Sequence, residues 1–95
     1  MTHHIATHYI ALVHKDDGSA FGVTFPDLPG CFSAADEERD LLPNAIEAIE
    51  LWAEDQDLPA PSPIETLRER SDVASELREG AFLLAVPSSA VSNAA

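Results

Sequence analysis

A short stretch rich in proline and glycine constrains the fold of this chain more than any other feature. This stretch, called the connector below, covers residues 25–32 and reads Phe-Pro-Asp-Leu-Pro-Gly-Cys-Phe. Proline lacks a backbone donor and fixes φ, so Pro26 and Pro29 disfavour helix here and bias the residues before them to an extended conformation. Gly30 can adopt a positive φ, which lets the chain reverse sharply. The connector therefore predicts a stiff, shaped link between two strands.

The residues on either side of the connector predict β-structure. Residues 9–14 and 21–25 alternate large apolar side chains with small or polar ones, the pattern of strands with one buried face. Residues 15–19 lie between them and contain Asp17-Gly18, a strong hairpin signal. An antiparallel hairpin is therefore expected before the connector, and residues 31–35 are expected to form a third strand.

A long helix is predicted for residues 41–56. Its start is set by Pro43, because a cap at Asp40 places this proline in the first turn, where no backbone donor is missed. The apolar positions recur at the spacing of one helical face. These positions are Leu42, Ala45, Ile46, Ile49, Trp52 and Ala53.

The opposite face of this helix is predicted to carry a continuous row of carboxylates. This acidic stripe consists of Glu47, Glu50, Glu54 and Asp57. Two interpretations stay open, a solvated helix face and a surface that contacts a protein partner.

The remainder of the chain predicts a linker, short helices and a last strand. Residues 58–63 alternate proline with small residues and predict a stiff linker. Ser62 is expected to cap a short helix that runs to residue 70, and one or two further helical turns are expected before Gly80. Residues 81–86 are a compact apolar run that predicts a strand buried in the sheet and stopped by Pro87. One domain over residues 8–86 is expected, with residues 1–7 and 87–95 as flexible tails.

The charge of the chain excludes some partners. Asp and Glu number 17 against 5 Lys and Arg among 95 residues, which gives a net charge of −12. Nucleic acids and anionic membranes are bound mainly through cations, so neither is expected to bind this segment. The charge favours either simple solubility or a basic partner. The absence of a membrane-length apolar run and of a secretory leader predicts a cytoplasmic protein.

No cofactor, metal or catalytic site is predicted. Cys31 is the only cysteine and is expected to be a small buried hydrophobe. The histidines near the start, His3, His4 and His8, lack the accompanying ligands of a metal site. A two-metal nuclease needs carboxylates on core strands, and residues 9–14 and 21–25 contain none. We therefore expect a protein without enzymatic activity.

The order of these segments resembles the HicB-like antitoxins. The match rests on the strand at residues 9–13, the Asp-Gly turn, the Val-Thr-Phe-Pro-Asp-Leu-Pro-Gly-Cys run at residues 23–31 and the following helix rich in Ala, Glu and Leu. It covers about residues 8–86. Within it, the distinctive family signature falls on Phe25, Pro26, Asp27, Leu28, Pro29, Gly30 and Cys31, for which a structural role is expected.

The resemblance implies an α+β fold, a degraded RNase H-like domain. Its expected order is β-β-β-α-α-β, with a three-stranded antiparallel sheet followed by helix and a returning strand. The family binds and neutralises HicA-like toxins, small basic ribonucleases that cut mRNA, and many members repress their own operon through a C-terminal DNA-binding domain. That domain is expected to be absent from these residues. A basic toxin is therefore the expected partner, bound through the acidic stripe or a free sheet edge, and an edge could also produce homo-oligomers.

The chain departs from the family pattern after the third strand. The family often has Gly-Asp followed by Glu-Glu-Ala, whereas Ala35-Asp36 is followed here by Glu-Glu-Arg, and Pro43 alters the start of the helix. The alternative function is a stand-alone protein-binding or scaffold domain of the same fold, without a toxin partner.

Overall fold

Four antiparallel strands form the sheet on which the rest of the molecule is built. The computed structural model describes residues 7–88. The strands are β1 (Thr7–Lys15), β2 (Phe21–Thr24), β3 (Phe32–Ala35) and β4 (Phe82–Ser88), arranged in the order β3-β2-β1-β4. The helices are α1 (Leu41–Ala53), α2 (Ile64–Glu69) and α3 (Ser71–Arg78), and one 3-10 turn over Glu38–Asp40 precedes α1.

The predicted hairpin joins β1 to β2. The N–H of Ser19 donates to the carbonyl of Asp16 at 2.9 Å, and Gly18 has a φ of 74° that favours glycine. In the resulting register Leu12 lies opposite Thr24 and Lys15 opposite Phe21. The Lys15 ammonium lies 5.6 Å from the centre of the Phe21 ring, an arrangement that adds a cation–π contact across the strands.

The main core lies between the sheet and α1. Alternate residues of β1, namely Tyr9, Ala11 and Val13, are buried on the same side as Ala45 and Ile49 of α1. Helix α1 lies mainly over β3 and β4. The connector supplies buried side chains to the same core. The sheet and α1 therefore fix the connector between them.

Helix α1 begins at Leu41, as the position of Pro43 predicts, but Asp40 does not cap it in the expected way. Asp40 has a helical backbone conformation and belongs to the preceding 3-10 turn, and within residues 7–88 its side chain makes no capping hydrogen bond. The helix ends at Ala53, three residues before the predicted end at Gln56. Asp57 consequently lies beyond the helix.

The last strand differs from the prediction in two ways. Strand β4 is an edge strand rather than a buried one, and Pro87 lies inside it, opposite His8 of β1. Proline is tolerated at a sheet edge because its nitrogen need not donate to a second neighbour. Because β1 begins at Thr7 and β4 ends at Ser88, the sheet also includes the inner ends of the two expected tails. The remaining tail residues, with His3 and His4, lie outside the described range.

The α+β class, with an antiparallel sheet and a returning strand, is confirmed. Helices α2 and α3 correspond to the predicted short helix and to the further turns expected before Gly80, so the observed order has one helix more than β-β-β-α-α-β. The expectation that this fold is a degraded RNase H-like domain stays a prediction. None of the helices within residues 7–88 is long and apolar enough to cross a membrane.

Candidate protein-binding site

The connector consists of two consecutive tight turns. The N–H of Leu28 donates to the carbonyl of Phe25, and the N–H of Cys31 donates to the carbonyl of Leu28, each at 3.0 Å. Gly30 has a φ of 84° in the second turn, a conformation that L side chains rarely adopt. The Leu28 side chain between the two turns is fully buried. The connector is therefore anchored at its centre.

Asp27 ties the connector to the linker that follows α1. One carboxylate oxygen accepts from the backbone N–H of Ser62 and the other from its hydroxyl, both at 2.7 Å. The predicted Ser62 cap of α2 is wrong, because the helix begins at Ile64 and Pro63 occupies the cap position. The hydroxyl of Tyr9 donates to the carbonyl of Pro59 in the same linker. Burial, and then the Asp27 charge, raise the pKa of Tyr9.

Arg70 joins the start of α3 to the connector. Its guanidinium donates to the carbonyl of Pro26 at 3.3 Å and forms an ion pair with Asp72 at 2.8 Å. The hydrogen bond from Arg70 lowers the pKa of the Asp72 carboxyl, and the backbone N–H of Val73 acts in the same direction. Both charged side chains are largely exposed, so this pair mainly orients the chain around α3.

A row of α1 residues at spacings of four fastens the helix to the connector and β3. Asn44 donates from its amide to the carbonyl of Ala34 at 2.9 Å. The Cys31 thiol lies 3.5 Å from the carbonyl of Ala48, and the Trp52 indole N–H donates to the carbonyl of Pro29 at 2.9 Å. Because residues at i, i+4 and i+8 share one side of a helix, these bonds lie along one line.

The signature residues thus make hydrogen bonds to the linker, to Arg70 before α3 and to α1. Cys31 is buried, and burial raises the pKa of its thiol. Within residues 7–88 no three His, Cys, Asp or Glu side chains are grouped so as to hold a metal ion.

The structure keeps three of the four acidic-stripe residues together. Glu47 and Glu50 lie on the exposed side of α1, and Glu54 follows its last residue. Asp57 is exposed but separated from the helix by a turn. The part of the acidic stripe that α1 and its C-cap carry is therefore Glu47, Glu50 and Glu54.

A groove between β3 and α1 was not foreseen from the sequence. Phe32 and Leu51 are exposed and line it, together with the buried Cys31. Leu51 is an apolar residue outside the predicted apolar face of α1, and this departure from the helical period is a sequence signal of an exposed apolar side chain. Phe32 offered none, because an alternating strand pattern does not say which face stays uncovered.

Comparison with known proteins identifies the family. The model of the HicB-like antitoxin of bacterial toxin–antitoxin systems matches residues 9–85. The chain is 41% identical over 61 residues to an uncharacterised 14.9 kDa protein of Haemophilus phage HP1, which covers 59% of this chain and 44% of the phage protein.

Solved structures show the same fold. The Burkholderia pseudomallei antitoxin HicB superposes with a TM-score of 0.66 and 34% identity, over 84% of this chain and 61% of that one. A chain of a HicA3 and HicB3 toxin–antitoxin complex superposes with a TM-score of 0.64 and 26% identity, over 86% of this chain and 98% of that one. The chain thus spans less than half of the phage relative and about three fifths of the B. pseudomallei antitoxin. By its sequence and its fold, this chain belongs to the HicB-like antitoxin family of bacterial toxin–antitoxin systems.

Proposed function

We propose that this chain is an antitoxin domain that binds a small basic HicA-like toxin and neutralises it by covering the surface that contacts mRNA. The observation that carries the proposal is family membership, together with the similarity to a chain from a HicA3 and HicB3 complex. The net charge of −12 supports it, since a basic ribonuclease would be steered towards such a surface.

The acidic stripe is proposed to guide the toxin during association. Between Arg39 and Arg68 the sequence contains no Lys or Arg, so α1 carries no cation of its own among these carboxylates. Exposed charges of this kind act mainly on the association rate and its salt dependence. Reversal of Glu47, Glu50 and Glu54 to Lys is therefore expected to slow toxin binding and flatten its salt dependence.

A matched control separates the stripe from the total charge. Reversal of Glu65, Glu69 and Glu79 changes the net charge by the same amount at exposed positions on α2 and after α3. If both triple variants associate with the toxin equally fast, the stripe is only a solvated helix face.

The function itself is tested with the protein encoded by the neighbouring reading frame. Co-expression with a tagged toxin is expected to recover both chains together and to restore the growth of cells that the toxin arrests. Separate elution and unrelieved arrest, with this chain folded and in excess, would instead favour a stand-alone scaffold domain.

Three further properties belong to the same proposal. The domain is proposed to act in the cytoplasm and without catalysis, so purified protein with Mg²⁺ is expected to leave RNA intact. The edge strands β3 and β4 are candidates for homo-oligomer formation, which light scattering would detect. Operon repression is proposed only for a chain that also carries a DNA-binding domain.

A further inference from the structure

We propose that the groove between β3 and α1, called the Phe32–Leu51 groove here, anchors the toxin by accepting an apolar side chain from a basic segment. The identity of the partner rests on the proposed function. The location of the anchor rests on the structure of this chain, in which the groove lies beside the acidic stripe.

The first argument is the exposure of the groove walls. Among residues 7–88 the exposed large apolar side chains are Phe32 at 67%, Leu51 at 58%, Phe82 at 42% and Leu42 at 39%. Single exposed apolar residues are ordinary on protein surfaces. Here, however, the two most exposed ones line the same groove, of about 320 Å³. Two exposed apolar side chains at one groove are a feature of binding surfaces rather than of scattered surface residues.

The second argument is the rigidity of the groove floor. Cys31, Ala48 and Trp52 line it, and the same residues form the bonds between α1 and the connector. A floor held in this way loses little conformational freedom when a ligand is bound. An aromatic or aliphatic side chain inserted between Phe32 and Leu51 would therefore find a preorganised pocket.

The third argument is the charge around the groove, which selects the occupant. On the helical surface Glu47 and Glu54 are the i−4 and i+3 neighbours of Leu51, and Asp55 lines the groove itself. A segment that places Lys or Arg beside its apolar anchor complements this rim. A second copy of this chain, with a net charge of −12, would bring like charge to it.

The sheet edge beside the groove is partly occupied. Asn44 already donates to the Ala34 carbonyl of β3, and this strand has only four residues. Both features limit the addition of a further strand. Side-chain insertion into the groove is therefore favoured over backbone pairing along β3.

The test uses two pairs of matched variants. Phe32→Thr and Leu51→Gln remove the groove walls, and Phe82→Thr and Leu42→Gln make the same changes at exposed positions outside it. Toxin affinity is measured by calorimetry, and folding by circular dichroism. We expect each groove variant to bind at least about tenfold more weakly and each control within about twofold of the unmodified chain, because hot-spot residues dominate binding.

The outcomes separate this inference from the proposed function. If the unmodified chain does not bind the toxin, the proposed function and the groove proposal both fail. If it binds and all four variants bind equally well, the function stands and the groove proposal is wrong. If light scattering shows a dimer that only the groove variants dissociate, the occupant is a second copy, which also overturns the proposal.

Discussion

Replacement of Asp27 by Ala tests the structural role of the connector. This carboxylate accepts two hydrogen bonds from Ser62, each at 2.7 Å, across 35 residues of sequence. The substitution removes both acceptors and frees the linker from the connector. We expect a loss of stability without any direct effect on the exposed groove or the acidic stripe.

The magnitude follows from the number and burial of the bonds. A hydrogen bond to a charged group contributes roughly 1.5–3 kcal/mol, and partial exposure of Asp27 reduces this to about 1–1.5 kcal/mol each. The free energy of unfolding should therefore fall by about 2–3 kcal/mol. For a domain of this size the melting temperature should fall by roughly 10–20 °C.

Urea unfolding of the single and double variants measures the coupling free energy between Asp27 and Ser62. Ser62→Ala removes only the hydroxyl bond and should cost about 1 kcal/mol, whereas adding it to Asp27→Ala should cost less than about 0.5 kcal/mol more. Asp57→Ala, at an exposed acidic residue, is the control and should lie within about 0.5 kcal/mol of the unmodified chain. A stability loss for Asp27→Ala no larger than that of the control would refute the role assigned to this carboxylate.

Three other changes test the neighbouring contacts. Gly30→Ala should destabilise by about 1–2 kcal/mol in thermal unfolding from backbone strain alone, because the φ of 84° is unfavourable but nothing lies within 4 Å of an added Cβ; an unchanged melting temperature would contradict this. Trp52→Phe removes the bond to Pro29 and should cost about 1 kcal/mol or more in urea unfolding; no loss would show that this bond is dispensable. The raised pKa of Tyr9 means that its contribution to stability is complete below the ordinary value near 10 and is lost as pH rises through the raised value. Unfolding between pH 9 and 12 should therefore depend less on pH in Tyr9→Phe, and equal slopes would refute this.

The elements that could be predicted are those specified locally. The hairpin is specified by an Asp-Gly turn between two alternating segments, and the observed antiparallel pairing of β1 with β2 confirms it. The start of α1 at Leu41 follows from the single constraint of Pro43. The connector was recognisable as a reversal because proline and glycine restrict the backbone wherever they occur.

The predictions that failed depended on distant neighbours. Ser62 fits a local capping pattern, but α2 begins one residue later than this pattern predicts, and the Ser62 side chain instead donates to the distant Asp27 carboxylate. Pro87 fits a strand terminator, but β4 lies at an edge, where a proline is accepted. The Phe32–Leu51 groove depends on where α1 lies against β3, and no local pattern contains that information. The periodicity also extends the acidic face to Asp57, beyond the observed end of α1 at Ala53, because periodicity alone does not mark where a helix ends.

The most direct test of the proposed function is toxin-catalysed RNA cleavage in the presence of increasing amounts of this chain. The proposed HicA-like toxin is incubated with RNA, and the fraction cut is followed as the folded chain is added. The proposal predicts that cleavage falls to zero near one equivalent of chain per toxin binding site, and that Phe32→Thr requires much more protein than Phe82→Thr. Cleavage that continues at its full rate with a large excess of the folded chain would contradict the proposal.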